Sequence, residues 1–462
     1  MAGGAVASNV KVAGPALTRR QEIFSFALVT SLFFAWGLSY GLIDVLNKKV
    51  VEHFGISKLQ STLLQVAYFG AYLVYSVPAS LFASRFGYRA GILMGLSLYC
   101  LGALAFWPSA HFEKYYGFVI SAFVIACGLA TLETCANSFI SVLGPPEGAS
   151  FRLNAAQSTN GLAAFVGPLI ASKTFFSGKN ANNLNDVQYV YLAVACFGAA
   201  LFVLFFFAKL PNITDADMED QATSSGIVDE RPVWQRKHTM FGFLTQLFYV
   251  GAQVSTASFV LFYLTETDGI TSAQASQMLS YLQITFMVAR FASTPLLRFF
   301  NPCLVLAAYG SSCTIFSLVA ALTGGKAGLA ALFLVFFSES VIYPTTFTLA
   351  TSYNGRHTKR AAGILCMGVA GGSFFPSAQG AFADAKGTRI SYIVPMLGFS
   401  ACAFYGAGMY FYMRRQAKLI ADNAVLAGPA VPVVADVNAL EKEESIEKVE
   451  IEDTRLEAVS RV

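Results

Sequence analysis

Residues 188–210 read QYVYLAVACFGAALFVLFFFAKL and carry no charge before Lys209. A helix rises about 1.5 Å per residue and the hydrocarbon core of a bilayer is about 30 Å thick, so about 20 apolar residues make one span. Eleven more windows of this kind occur, at 23–46, 60–83, 90–108, 115–141, 153–176, 239–264, 272–297, 303–322, 327–351, 361–383 and 391–412. They are long and continuously apolar, unlike the short alternating strands of a membrane barrel. The chain therefore reads as an all-α membrane protein with twelve transmembrane helices. The first window is too long for a removable signal peptide and lacks a small-residue cleavage site, so it counts as a span.

The composition agrees. Of 462 residues, 55% are hydrophobic and only 13% charged, with 42 Phe and a mean hydropathy of +0.56. A soluble domain carries about 25% charge, so an ordinary cytosolic enzyme, a disordered chain and a nucleic-acid binder are excluded. The net charge of +4 is too small to argue for an anionic partner. The eight cysteines lie in or beside apolar windows with no CxxC pair, and the four histidines (His53, His111, His238, His357) fall in expected loops. Neither pattern supports a disulfide framework, a metal site or a cofactor.

Orientation follows from Lys and Arg in the loops. With the N-terminus inside, 18 of the 31 basic residues fall in cytoplasmic positions, nine fall outside and four lie in the distal tail. Both termini are therefore expected in the cytoplasm. The organisation reads as a cytoplasmic segment 1–22, a six-helix bundle 23–210, a polar linker 211–238, a second bundle 239–412 and a disordered cytoplasmic tail 413–462.

The two bundles read as a duplication. Glu133-Thr134-Cys135-Ala136-Asn137 in window four matches Glu339-Ser340-Val341-Ile342-Tyr343 in window ten, each an acid, a hydroxyl and a polar group one turn on. Arg152 precedes Pro168 by 16 residues, and Arg360 precedes Pro376 by the same 16. Transporters are commonly built from such repeats, with sites between them near the midplane.

Ionisable groups within spans are costly and mark function by default. Asp44, late in window one, is either an interfacial partner of Lys48 or a carboxylate facing an outward cavity. Glu133 lies too deep to snorkel; it is either bonded to neighbouring hydroxyls or a proton carrier, since burial favours the neutral form of a carboxyl. Glu339 in window ten invites the same two readings. Arg290, near the cytoplasmic end of window eight, is expected to gate or snorkel. Gln157, Asn160, Gln253 and Tyr343 add neutral polar groups, and amides that both donate and accept suit a polyhydroxyl ligand. Each could equally be an interhelical hydrogen bond.

The segments LETCANSFISVLGPPEGASFRLNAAQSTN, FWPSA, FYVGAQ, YPTTFTL and HTKRAAG resemble the fucose–proton symporter family of the major facilitator superfamily, over roughly 25–412. Ser84-Arg85-Phe86-Gly87-Tyr88-Arg89 is similar to the superfamily signature after the second helix, with Ser84 in place of the usual acid. Glu339 looks like the FES-type motif of fungal relatives, which identifies the chain as a eukaryotic, fungal-type member. The resemblance implies two pseudo-symmetric six-helix halves that rock to carry a hexose inward with a proton. It also implies proton coupling by Glu133 and Asp44, to which the extra acid Glu339 is added. The substrate-binding set becomes Asp44, Asn137, Gln157, Asn160, Gln253 and Tyr343, and the cytoplasmic gating set Arg85, Gly87, Arg89 and Arg152. Two departures touch sugar identity: Gly41 and Ile43 stand where the family has asparagines, and Ala257 replaces a tryptophan.

The expectation is a monomeric, non-enzymatic plasma-membrane symporter of protons and a monosaccharide such as L-fucose. It would work in the lipid bilayer without cofactor, metal or nucleic acid. Proton-antiport efflux of a secondary metabolite and a non-transporting sugar sensor are the alternatives.

Overall fold

The structure, a computed structural model, describes residues 17–54, 58–175, 185–224, 227–228, 231–427 and 435–436. The first half comprises α1 (Arg19–Phe54), α2 (Lys58–His111), α3 (Tyr115–Val142), α4 (Ala149–Phe175) and α5 (Asn185–Phe207). A short helix α6 (Asp215–Ser224) follows. The second half comprises α7 (Lys237–Asp268), α8 (Ser272–Ser293), α9 (Leu296–Phe299), α10 (Pro302–Leu322), α11 (Gly325–Glu339), α12 (Ile342–Thr351), α13 (Thr358–Met367), α14 (Gly371–Lys386), α15 (Thr388–Ser391) and α16 (Ile393–Ala427).

Nine stretches of described helix are long and apolar enough to cross a bilayer. One of them, Leu63–His111, runs for 49 residues and is broken at Gly87, where φ is 86° and ψ 167°. Only glycine adopts that left-handed conformation without strain, so two spans follow each other with almost no loop. The more polar α4 and α8 complete the twelve. Large apolar side chains such as Phe207, Phe299 and Phe404 point outward, each three-quarters exposed or more. A soluble protein would bury them; lipid does so here.

Two segments differ from the sequence reading. The linker holds α6, whose first turn carries Asp215 and Asp217, acids that complement the positive end of the helix dipole. The last helix runs past 412 to Ala427, because Arg414, Arg415 and Lys418 are good helix formers that extend it out of the apolar zone. Beyond it, Ala435–Asp436 pairs in parallel with Ile227–Val228 of the linker.

Within each half, glycines let backbones meet, as small residues do between membrane helices. A Cβ on Gly102 of α2 would stand 2.3 Å from the Ile125 nitrogen of α3, and one on Gly128 2.5 Å from the Tyr99 nitrogen. α10 and α16 repeat the device: a Cβ on Gly310 would stand 2.6 Å from the Ala403 nitrogen, and one on Gly406 2.6 Å from the Ala307 nitrogen.

The halves meet along α2 with α13 and α4 with α8 and α12. At the end of the bundle that carries the linker, this seam is shut. The Ser150 and Thr348 hydroxyls share a hydrogen bond of 2.6 Å, and Asn154 Nδ2 donates to Thr345 Oγ1 at 3.1 Å. Lys359 Nζ, on α13, bonds Asp215 at 2.8 Å and the Ile213 carbonyl at 3.2 Å, and stands 4.7 Å above the Tyr88 ring.

Gly102→Val should drive a branched side chain into the α3 backbone and cost about 1–3 kcal/mol or more, seen as a lowered Tm in detergent. Leu101→Val, on the lipid-facing side at 59% exposure, should leave Tm nearly unchanged. Equal effects of the two would contradict this packing.

Candidate functional site

α3 is buried on every side from Ile125 to Val142, which carries Glu133 and Asn137, one turn apart on one face, into the centre of the bundle. Both side chains are buried, at 4% and 0% exposure. Gln157 Nε2, from α4, donates to Asn137 Oδ1 at 2.8 Å, and Asn137 Nδ2 donates to Glu133 Oε1 at a long 3.5 Å. An amide relay thus runs from α4 through Asn137 to the carboxyl.

Groups from both halves surround the carboxyl. The hydroxyls of Tyr72 on α2 and Tyr343 on α12 border the carboxyl group, and the Cys366 thiol of α13 is close by. The geometry stops short of formed hydrogen bonds. Among the described residues, Glu133 Oε2 and the Tyr343 hydroxyl are both buried without a partner, as are Thr134 Oγ1 and Gln246 Oε1. Tyr72 accepts from the Trp36 indole on α1. A buried polar atom left unpaired costs about 1–3 kcal/mol, and several gathered where the two halves meet is the arrangement of a polar ligand site.

The remaining expected residues spread out from this centre. Asn160 Nδ2 donates to the Phe33 carbonyl at 3.4 Å, holding α1 against α4. Gln253 on α7 is partly exposed. Asp44 falls in the far part of α1, and its side chain lies outside the described residues. Glu339 closes α11, buried, with Oε2 unpartnered. Its electrostatic neighbours are Arg290 and Tyr249, and Tyr249 donates to its backbone carbonyl at 2.7 Å. The two glutamates of the repeat therefore have separate surroundings. Glu133 faces the seam between the halves, and Glu339 faces α7 and α8 of its own half.

Arg290 neither snorkels nor reaches solvent. It is 4% exposed; its Nε donates to the Ser340 carbonyl at 2.7 Å and its Nη1 to the Gln157 carbonyl at 3.2 Å. Position along a helix gave its depth, but not the inward direction that packing against α4 and α11 imposes.

The basic residues of the expected gating set bond within the first half. Arg89 donates to the Phe205 and Phe206 carbonyls at the end of α5. Arg152 donates to the carbonyls of Ile140 at 3.3 Å, Ser141 at 3.0 Å and Pro145 at 2.7 Å, which closes the end of α3. Both satisfy carbonyls that a helix C-terminus leaves open. Exposed Arg85 lies 5.4 Å over Phe86, and Gly87 makes the turn. In the second half the matching role passes from the exposed Arg360 to Arg236, whose Nη1 donates to the Tyr353 carbonyl and to Asn354 Oδ1. Sequence reasoning missed the contact of Ser150 with Thr348 across the seam and that of Lys359 with Asp215, which ties α13 to the linker. Neither carries a motif of its own.

Among known proteins, the Major Facilitator Superfamily model matches residues 25–376. A glucose/galactose transporter of Brucella abortus is 32% identical over 397 residues, covering 84% of this chain and 95% of that protein. The L-fucose-proton symporter of Escherichia coli is 31% identical over 402 residues, covering 82% and 92%. The crystal structure of the transporter FucP in the outward conformation superposes with a TM-score of 0.74 at 30% identity, covering 84% of this chain and 99% of that one. A helical bundle with twelve spans, a seam between two halves and a match of this length agree: the chain belongs to the Major Facilitator Superfamily.

Proposed function

We propose that this protein is a proton-coupled symporter that imports a monosaccharide, L-fucose or a related hexose, by alternating access. The observation that carries the reading is Glu133, buried at the seam with one oxygen bonded only through Asn137 and the other unpartnered. Supporting it are relatives named as a glucose/galactose transporter and an L-fucose-proton symporter.

The chemistry follows from what each group can hold. Amides and hydroxyls that both donate and accept recognise sugar hydroxyls; Asn137, Gln157, Asn160, Gln253, Tyr343 and Asp44 form that set. Glu133 carries the proton. An ionised carboxylate with an unpaired oxygen is strongly disfavoured once the halves close over it and exclude water. The protonated form loses that penalty and gains an O–H to donate. The loaded carrier therefore changes sides with its proton; after sugar and proton leave, the Tyr72 and Tyr343 hydroxyls that border the carboxyl donate to the ionised form and offset that penalty while the emptied carrier returns. Asp44, towards the outer end of α1, is the first carboxylate the proton meets, and Glu339 is a third ionisable group in the pathway.

The linker end carries Arg85, Arg89, Arg356 and Arg360 and faces the cytoplasm in this reading, with both termini inside, in the plasma membrane. The shut seam there then corresponds to the outward-open stage of the cycle, in keeping with the likeness to outward FucP. The protein acts as a monomer, and Arg85, Gly87, Arg89 and Arg152 brace the cytoplasmic helix ends while the halves rock.

Two variants test the assignment in liposomes. Glu133→Gln should abolish proton-driven accumulation of the sugar yet keep sugar–sugar counterflow; undiminished accumulation would remove Glu133 from the proton path. Tyr343→Phe should raise the KM for uptake roughly 3- to 10-fold, the worth of one neutral hydrogen bond, with accumulation still proton-driven. An unchanged KM would take Tyr343 out of the sugar site.

A further inference from the structure

We propose that Arg290 is a positioning residue that tethers the two halves at the linker end and transmits their separation to the sugar site. The proposal rests on the transport reading for the site, but the tether stands on geometry alone. Ser340 lies in the break between α11 and α12, where Ser340 and Val341 form a turn and Val341 stands at φ −106°, ψ −3°. The residue four positions on is Pro344, which has no N–H to donate. The Ser340 carbonyl is therefore left open by its own helix, and Arg290 Nε fills it at 2.7 Å.

The same guanidinium reaches across the seam. Its Nη1 donates to the Gln157 carbonyl on α4 of the first half at 3.2 Å, and the Phe286 ring lies 4.5 Å beneath it. A guanidinium holds several N–H groups in one rigid plane and can serve two acceptors at once; an ammonium on a flexible stem does not reproduce that fork. Three of its neighbours, Ser340, Phe286 and Glu339, belong to the second half. When the linker end opens, the bond to Gln157 is the one that breaks.

That bond has a consequence for the site. Gln157 is the residue whose amide holds Asn137 at 2.8 Å, and Asn137 in turn holds Glu133. Arg290 thus fixes the backbone of Gln157 while the linker end is shut and releases it when the end opens, so the position of the amide relay depends on which side is closed. Arg290 need not touch the sugar to change its binding.

The test reads conformation in the absence of sugar. Spin labels are placed at Phe86→Cys in the first half and Arg360→Cys in the second, both exposed at the linker end. The exposed Cys196 is changed to Ser, and distances are measured by pulsed electron resonance on the full-length protein in lipid nanodiscs. In the parent a short distance dominates. Arg290→Lys and Arg290→Gln should each raise the ratio of long to short distances about fivefold or more, the scale of a typical coupling between sites. Pro344→Ala restores an N–H to the Ser340 carbonyl, so it should shift the ratio the same way and add little in an Arg290→Lys background. Distance distributions for both Arg290 variants that superimpose on the parent overturn the tether. A shift with Arg290 and none with Pro344→Ala overturns the part assigned to the open carbonyl. Because no sugar or proton gradient is used, this outcome is independent of whether Glu133→Gln retains active uptake.

Discussion

A carboxyl group buried where two halves of a bilayer-embedded bundle meet, with one oxygen unpartnered, sets the terms for everything around it. An ionisable side chain in the membrane interior is destabilising by a few kcal/mol or more, so the helices near Glu133 are arranged to offset or exploit that cost. α3 is the most enclosed of the strongly apolar spans in the first half; α2 and α4 supply Tyr72 and Gln157, and α12 and α13 bring Tyr343 and Cys366 from the other half. The groups around the carboxyl come from both halves, so any rocking of one half against the other changes its company. In the proposed cycle this links a proton on Glu133 to the side on which the bundle is open.

The same scarcity of partners explains the arginines. In lipid, an open backbone carbonyl has no water to turn to, and each helix ends with carbonyls its own ladder cannot reach. Arg89, Arg152, Arg236 and Arg290 all donate to such carbonyls. The first three close helix ends. The fourth fills a carbonyl opened inside a span by Pro344 and, unlike the others, spans the seam. Cationic loop residues therefore do two jobs, since the charge that orients the chain in the membrane also caps its helices.

Much of this was legible in the sequence. Continuous apolar windows located the spans, and the short stretch Ser84–Arg89 separated the second from the third. The spacing of Glu133 and Asn137 put both on one helical face, and the downstream block brought Gln157 to them. Other features were not legible. The depth of Arg290 could be counted along α8, but its partners are the Gln157 carbonyl on α4 and the Ser340 carbonyl in the break after α11, and nothing in the spacing of side chains pairs a guanidinium with a distant carbonyl. The pairing of Lys359 with Asp215 joins α13 to the linker, far apart in the chain. The repeat misled at Arg360: spacing matched it to Arg152, yet packing leaves it exposed and gives the capping task to Arg236. The end of α16 was also hidden, because hydropathy follows the membrane boundary while helix propensity carries on past it.

The central claim is that sugar and proton move together in the same direction. Purified full-length protein in weakly buffered liposomes, with no imposed gradient of pH or voltage, is given L-fucose, D-galactose or D-glucose outside while external pH is recorded. The account predicts that a transported sugar makes the medium more alkaline as protons follow it inward. Entry of that sugar with no pH change, or with acidification, would contradict it.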